Sequence, residues 1–277
     1  MKQRFENRCV VVTGAASGIG RATAEGIVAE GGQVVIADLQ EEAGAALAAE
    51  LGDNAVFVRT DVTREEDIEA AIATAVSHFG GLYGMVNNAG VIGAVGPITQ
   101  TTAEAFDHTM AILARGVFLG IKHAARVMIP AGGGSIVSLA STAGVMGGLG
   151  PHVYTMAKHG VVGLTKSAAS ELSPHRVRVN AVAPGGTVTA MTAALAGNNS
   201  EAITEAIAAT SPLGRAAVAG DMANAILFAL SDDASYMTGH TLVIDAGETT
   251  ANTVADFHLA PSEIMHHAGQ RSADTGN

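Results

Sequence analysis

The chain has 277 residues, 34 of them Gly and 7 Pro, with 48% hydrophobic and only 15% charged residues. Such a composition excludes a disordered chain, and the lack of a three-residue glycine period excludes a collagen-like fibre. Lys plus Arg number 15 against 26 Asp plus Glu, a net charge of −11 with no basic run, which excludes a nucleic-acid partner held by clustered cations.

In chain order, short β-branched runs alternate with helical patterns. The run 9–13 predicts a strand, which passes through Thr13-Gly14-Ala15-Ala16-Ser17-Gly18-Ile19-Gly20 into a helix over 21–30. Gly in that setting allows a tight turn and close backbone approach, and the free N–H groups of a new helix suit an anionic diphosphate. The second strand, 33–37, leads into Asp38, where a carboxylate can accept hydrogen bonds from ribose hydroxyls and would repel a 2′-phosphate. Neither Leu39 nor Gln40 is a cation and Ser17 is uncharged, so NAD is expected rather than NADP. The plainer alternative makes Asp38 only a cap for the next helix, 41–51.

The alternation continues with strands at 55–59, 82–87, 135–139, 177–182 and 241–245, and helices at 65–79, 103–128, 153–172 and 221–230. Several strands are continuously apolar, as parallel strands covered on both faces are. The expected fold is therefore α/β, a doubly wound, mostly parallel sheet of about seven strands of Rossmann type. One catalytic domain over 1–247 and a C-terminal extension over 248–277 are expected, the extension lacking strong periodicity.

Three charge-free stretches, 80–103, 127–152 and 179–200, are broken by Gly, Pro, Asn or Ser and read as core and loops, so no membrane span is expected. The single Cys9 cannot form an internal disulfide, and the start lacks the pattern of a signal peptide, which together predict a cytoplasmic protein. His258, His266 and His267 have no metal-ligand spacing and no completing carboxylate or Cys, so no metal is expected.

Ordered motifs over about residues 5–247 resemble the short-chain dehydrogenase/reductase family in its single-domain form. They are the Thr13 to Gly20 loop, Asp61-Val62, Asn87-Asn88-Ala89-Gly90, Ser141, Tyr154-x-x-x-Lys158, Pro184-Gly185-Gly186-Thr187-Val188-Thr189 and the run 241–247. The resemblance implies an NAD-dependent alcohol dehydrogenase with Ser141, Tyr154 and Lys158 as catalytic residues. It implies a cofactor site of Gly14, Ser17, Gly18, Ile19, Gly20, Asp38, Asp61, Val62, Asn88, Ala89, Gly90, Tyr154, Lys158, Pro184, Gly185, Thr187 and Thr189. It also implies a homotetramer.

The residues support the same chemistry physically. Tyr154 and Lys158 lie one helical turn apart and share a face. A phenol with its ordinary pKa near 10 is a poor base at neutral pH, and a neighbouring ammonium is expected to favour the phenolate. Ser141 is expected to donate a hydrogen bond to the substrate oxygen. The plainer readings are a solvated Lys, a core Tyr and a capping Ser.

One position departs from the family pattern. Relatives carry an Asn that joins a proton relay through a water, and Leu113 stands there in Ile112-Leu113-Ala114-Arg115-Gly116. Leu113 cannot hydrogen-bond, so the fold and cofactor site are expected to survive while proton exchange is slowed or rerouted, unless a local helix kink lets the backbone carbonyl hold the water.

The expected substrate walls, 91–96, 143–153 and 189–210, include Val91, Ile92, Val95, Val145, Met146, Leu149, Met191 and Leu195 and almost no charge. An apolar alcohol or ketone is the expected partner. The texts His152-Val153-Tyr154 and Lys158-His159 and the run 122–130 resemble the subgroup that oxidises cyclic secondary alcohols. The alternatives are an acyl-carrier ketoreductase, or a dinucleotide-binding protein whose catalysis is impaired at Leu113.

Overall fold

The computed structural model describes residues 3–250. The seven expected strands are present as β1 (Cys9–Thr13), β2 (Gln33–Asp38), β3 (Ala55–Arg59), β4 (Gly84–Asn87), β5 (Gly134–Leu139), β6 (Val177–Pro184) and, after two short strands, β9 (Thr241–Ile244). The short strands, β7 (Thr187–Val188) and β8 (Ala217–Val218), pair only with each other and carry too little pattern to be read from sequence. The main sheet has the order β3-β2-β1-β4-β5-β6-β9, and its neighbours all pair in parallel.

Burial explains why the strands read as unbroken apolar runs. In β1 every residue is buried, with Val10 and Val12 in the core on one face and Val11 in the core on the other. Helices α1 (Gly18–Ala29) and α9 (Ala219–Leu230) cover the first face through Ile27, Ile226 and Leu230. Helices α3 (Glu65–Phe79), α5 (Gly116–Ala131) and α6 (His152–Leu172) cover the second through Ile68, Met128 and Val161. Helix α2 (Glu41–Leu51) flanks β3 on the first side, where Leu47 is fully buried.

The helix expected over 103–128 is divided. It runs as α4 (Ala103–Met110), widens into one π-turn (Ala111–Arg115), and resumes as α5. Ala111 to Arg115 hold neither Gly nor Pro, so local sequence carries no sign of the break. Such wide turns recur at functional sites. Leu113 lies inside that π-turn, where the regular i to i−4 bonding on which an unbroken helix relies is interrupted. Two further helices, α7 (Ala190–Ala193) and α8 (Ser200–Thr210), occupy a stretch expected only to face substrate.

Strand order reverses between β1 and β4, each continuing away from the other across the sheet. In open α/β sheets the crevice beyond the carboxyl ends of such strands is the binding position. Among the described residues no helix is long and apolar enough to cross a membrane, and no group of three or more His, Cys, Asp or Glu gathers as a metal site. The expected extension lies outside the described residues beyond Thr250, as do His258, His266 and His267.

Candidate active site

At the end of β1, Thr13 and Asn88 join the glycine loop to the chain after β4. The Thr13 Oγ1 accepts from the backbone N–H groups of Asn88 (3.0 Å) and Ala89 (3.1 Å). The Asn88 Nδ2 donates to the carbonyls of Thr13 (2.8 Å) and Gly14 (3.0 Å). The loop is thus held from beneath, and its upper surface is left to a ligand. Ser17 makes no side-chain cap to α1 and no acid lies in the first turn, so that helix end opens on the cleft uncapped and without a repelling charge.

Asp38 ends β2 and is 6% exposed. Its Oδ2 accepts from Ala16 N (2.9 Å) and its Oδ1 from Gln40 N (2.9 Å). Asp38 is therefore tied to the glycine loop; the N-cap of α2 is Gln40. Arg59 pairs with Asp38 in the β2–β3 register, but its guanidinium is engaged by Glu41 at 3.1 Å. Lys158 is the sole Lys or Arg on the cleft wall among the described residues.

The expected catalytic residues converge. Ser141 follows β5, and its Oγ accepts from Ala143 N (3.1 Å), leaving the hydroxyl proton free to donate. The turn it opens, Thr142–Gly144, lies so close to α6 that a Cβ at Gly144 would come 2.7 Å from the Lys158 carbonyl oxygen. Ser141 is thereby brought beside Tyr154, where its hydroxyl favours the phenolate. On the same helix, the Lys158 Nζ donates to Leu139 O at the end of β5 (2.6 Å) and stands 5.5 Å from the Tyr154 ring centroid.

Electrostatics corrects one expectation. Burial pushes the Tyr154 phenol above its ordinary value, and the Ser141 hydrogen bond only partly offsets it. Burial also pushes Lys158 down to about 8. The same low-dielectric surroundings penalise phenolate and ammonium alike, so Lys158 alone does not bring Tyr154 toward neutral pH. A buried phenol held protonated is the state of a general acid.

The Lys158 shift has a consequence for stability. Between pH 8 and the ordinary lysine value near 10.4, the unfolded chain binds more protons than the folded one, so unfolding free energy rises with pH through that window. The rise from this group is expected to be about 2 kcal/mol between pH 7 and 9.5. Urea unfolding at the two pH values should show it in the parent and not in Lys158→Met; equal changes in both proteins would contradict a buried ammonium.

The cleft encloses about 730 Å³. Every expected site residue lines it except Gly20, which lies behind the loop: a Cβ there would sit 2.2 Å from the Gly14 carbonyl oxygen and 2.5 Å from the Asn88 Nδ2. Gly20 serves the site by packing. At the far end, Pro184 ends β6 and Gly185, Thr187 and Thr189 follow it, and Thr189 caps α7 by accepting from Thr192 N (3.2 Å). These features fit a dinucleotide: a close-packed glycine loop, a helix end free of acids, a carboxylate on the β2 side, and a lysine at the other end.

The substrate side is less uniformly apolar than expected. Val91, Ile92, Val95, Leu149, Met191 and Leu195 line the cleft, whereas Val145 and Met146 do not. His108, Ile112 and Glu248 join the lining unannounced. His108 and Ile112 stand one helical turn apart, a spacing that could have flagged them had the π-turn been foreseen. Leu113 is fully buried and also lines the cleft, against Gly90, where a Cβ would come 3.3 Å from its Cδ2.

Comparison with known proteins agrees with this geometry. A family model described as enoyl-(acyl carrier protein) reductase matches residues 14–249. Momilactone A synthase of Oryza sativa subsp. japonica is 45% identical, covering 92% of this chain and 94% of its own. (+)-Borneol dehydrogenase 2 of Salvia officinalis is 43% identical, covering 90% of this chain and 92% of its own. The crystal structure of a short-chain type dehydrogenase/reductase from Mycobacterium marinum superposes with a TM-score of 0.83 at 32% identity, covering 90% of this chain and 98% of that one.

Proposed function

The chain belongs to the short-chain dehydrogenase/reductase family and is an oxidoreductase, and from that premise we propose that it transfers a hydride between NAD and an apolar, cyclic secondary alcohol or its ketone. The carrying observation is the meeting of Ser141, Tyr154 and Lys158 in a cleft whose outer wall is formed by Val91, Ile92, Val95, Leu149, Met191 and Leu195.

Bound NAD would supply the hydride chemistry. The first turn of α1 would hold its diphosphate, and Asp38 the adenosine ribose. Asp61 and Val62 would contact adenine, with Asn88, Ala89 and Gly90 beneath the cofactor. Lys158, Pro184, Gly185, Thr187 and Thr189 would hold the nicotinamide end. Ser141 donates a hydrogen bond to the substrate oxygen and stabilises charge that develops there. Tyr154 gives its phenolic proton to that oxygen in reduction and takes it back in oxidation. Because burial holds the phenol protonated, oxidation gains from alkaline pH and reduction does not need it.

NAD over NADP rests on the Asp38 carboxylate and on the engagement of Arg59 elsewhere. A cytoplasmic homotetramer is the accompanying reading. It is supported by the single, free Cys9 and by Phe118 on α5 and Met156 on α6, apolar side chains left about half exposed on the long helices. In this reading 1–247 is the catalytic unit and 248–277 an extension.

The test is a spectrophotometric panel of cyclic alcohols and ketones with NAD and NADP. NAD-linked turnover of cyclic alcohols is expected. NADP-linked reduction of an acyl-thioester would favour the acyl-carrier reading, and cofactor binding without turnover would favour a protein impaired at Leu113. In the same assay Asp38→Asn, which removes the charge and keeps the shape, should lower the preference for NAD by about tenfold. An unchanged preference would remove Asp38 from cofactor selection.

A further inference from the structure

The segment 91–96 forms one wall of the cleft through Val91, Ile92 and Val95, yet it belongs to no helix or strand. Loop walls of that kind are held only by what they touch. Here the contact is concentrated on one buried side chain of α4, Thr109, which is 1% exposed.

The Thr109 hydroxyl works in both directions. Its Oγ1 accepts from the backbone N–H of Ala94 at 3.0 Å, and it donates to the carbonyl of Ala105 at 2.7 Å, one turn earlier on its own helix. The second bond orients the hydroxyl, so a lone pair faces the loop. Gly93 lies directly against the same side chain: a Cβ there would sit 2.4 Å from the Thr109 Cγ2 and 2.6 Å from its Oγ1. Gly93 also has φ +74°, a region L-residues rarely adopt, so both its backbone and its lack of a side chain suit this contact. Two residues after Thr109 the π-turn begins, and it carries Ile112 and Leu113 to the cleft.

We infer that Thr109 is a specificity-determining positioning residue, whose hydroxyl clips the 91–96 wall to the helix bearing Ile112 and so sets the width of the substrate end of the cleft. The inference rests on the function proposed above. Its chemical consequence is selection by shape: with the clip intact the wall is rigid and distinguishes bulky from slender ring alcohols, and with it broken that discrimination is lost.

Thr109→Val keeps the volume and removes both hydrogen bonds; Thr109→Ser keeps the hydroxyl and loses the methyl. In Thr109→Val the Ala94 amide should exchange with deuterium faster, while the amides of β4 and α5 stay protected. For the best alcohol in the panel, KM should rise about tenfold, as losing one buried hydrogen bond implies, with kcat and the NAD dissociation constant within twofold. Thr109→Ser should retain near-parental Ala94 exchange and KM. The inference is overturned if Ala94 exchange and KM are unchanged in Thr109→Val, if kcat and NAD affinity fall as KM rises, or if Thr109→Ser behaves as Thr109→Val does. Failure of the proposed function looks different: the parent itself would turn over no alcohol in the panel, and the wall would then not be a substrate wall.

Discussion

Tyr154→Phe is expected to lower turnover of the best alcohol by about 1,000-fold, within the range that a positioned general acid/base contributes. The substitution keeps the ring and removes only the hydroxyl, which lies beside Ser141 on the cleft wall. No other phenol can take over: Tyr83 donates to Leu230 O and packs under Arg8 at the opposite end of the sheet, and Tyr236 is fully exposed. The fold should be unaffected, because a phenol hydroxyl in apolar surroundings costs desolvation that Phe does not incur. NAD affinity measured by fluorescence should stay within a few-fold of the parent. Formation of reduced cofactor, followed by absorbance, decides the matter: a variant keeping more than a fifth of the parental rate would remove Tyr154 from proton transfer.

The second large effect is expected at Gly20. Adding one methyl there places it against the Gly14 carbonyl, the Asn88 amide and the Ala15 Cα, the last at 2.9 Å. Two of these are backbone, which cannot rotate away, and the third holds the loop through its bonds to the Thr13 and Gly14 carbonyls. The glycine loop has to shift to admit the methyl, at a cost of about 1–3 kcal/mol in stability. NAD affinity is expected to fall about 100-fold, since every contact made by loop N–H groups depends on that position.

Gly18→Ala is the informative control. Gly18 has φ +54°, so Ala there is strained by about 1–2 kcal/mol, but its added methyl would meet nothing nearer than a Thr189 methyl at 3.5 Å. Gly18→Ala should therefore keep NAD affinity within about tenfold of the parent. Isothermal titration of both variants tests the contrast. Parental affinity in Gly20→Ala would mean that the loop does not hold the cofactor.

Much of the fold was legible because its signals are local. The apolar runs of β1 and β2 bury both faces in a parallel sheet, and helices α2 and α3 keep the amphipathic period within their observed bounds. Site residues were legible from backbone chemistry where it is demanding, Gly14 and Gly18 at a turn and Asp38 at a strand end, and from the family motif at Tyr154 and Lys158, whose one-turn spacing puts them on one face. Element α7 was not legible, since its surroundings are charge-free and rich in Ala and Thr, and α8, with Glu201 and Glu205 one turn apart, lies in a stretch read only as facing substrate.

The sequence by itself thus determined the order of strands and helices and the glycine loop, because periodicity and turn chemistry act over a few residues, while the resemblance to the family's motifs supplied Ser141, Tyr154 and Lys158. Only the tertiary structure decided the rest. It put a π-turn into an unbroken helical pattern, moved Gly20 from the lining to the packing behind it, brought His108 and Glu248 into an apolar wall, and made Thr109 the holder of the 91–96 loop. It also reversed the expected direction at Tyr154. That direction depends on how much water the folded chain excludes from a phenol and an ammonium together, and burial of this kind is a property of distant segments packed against one another.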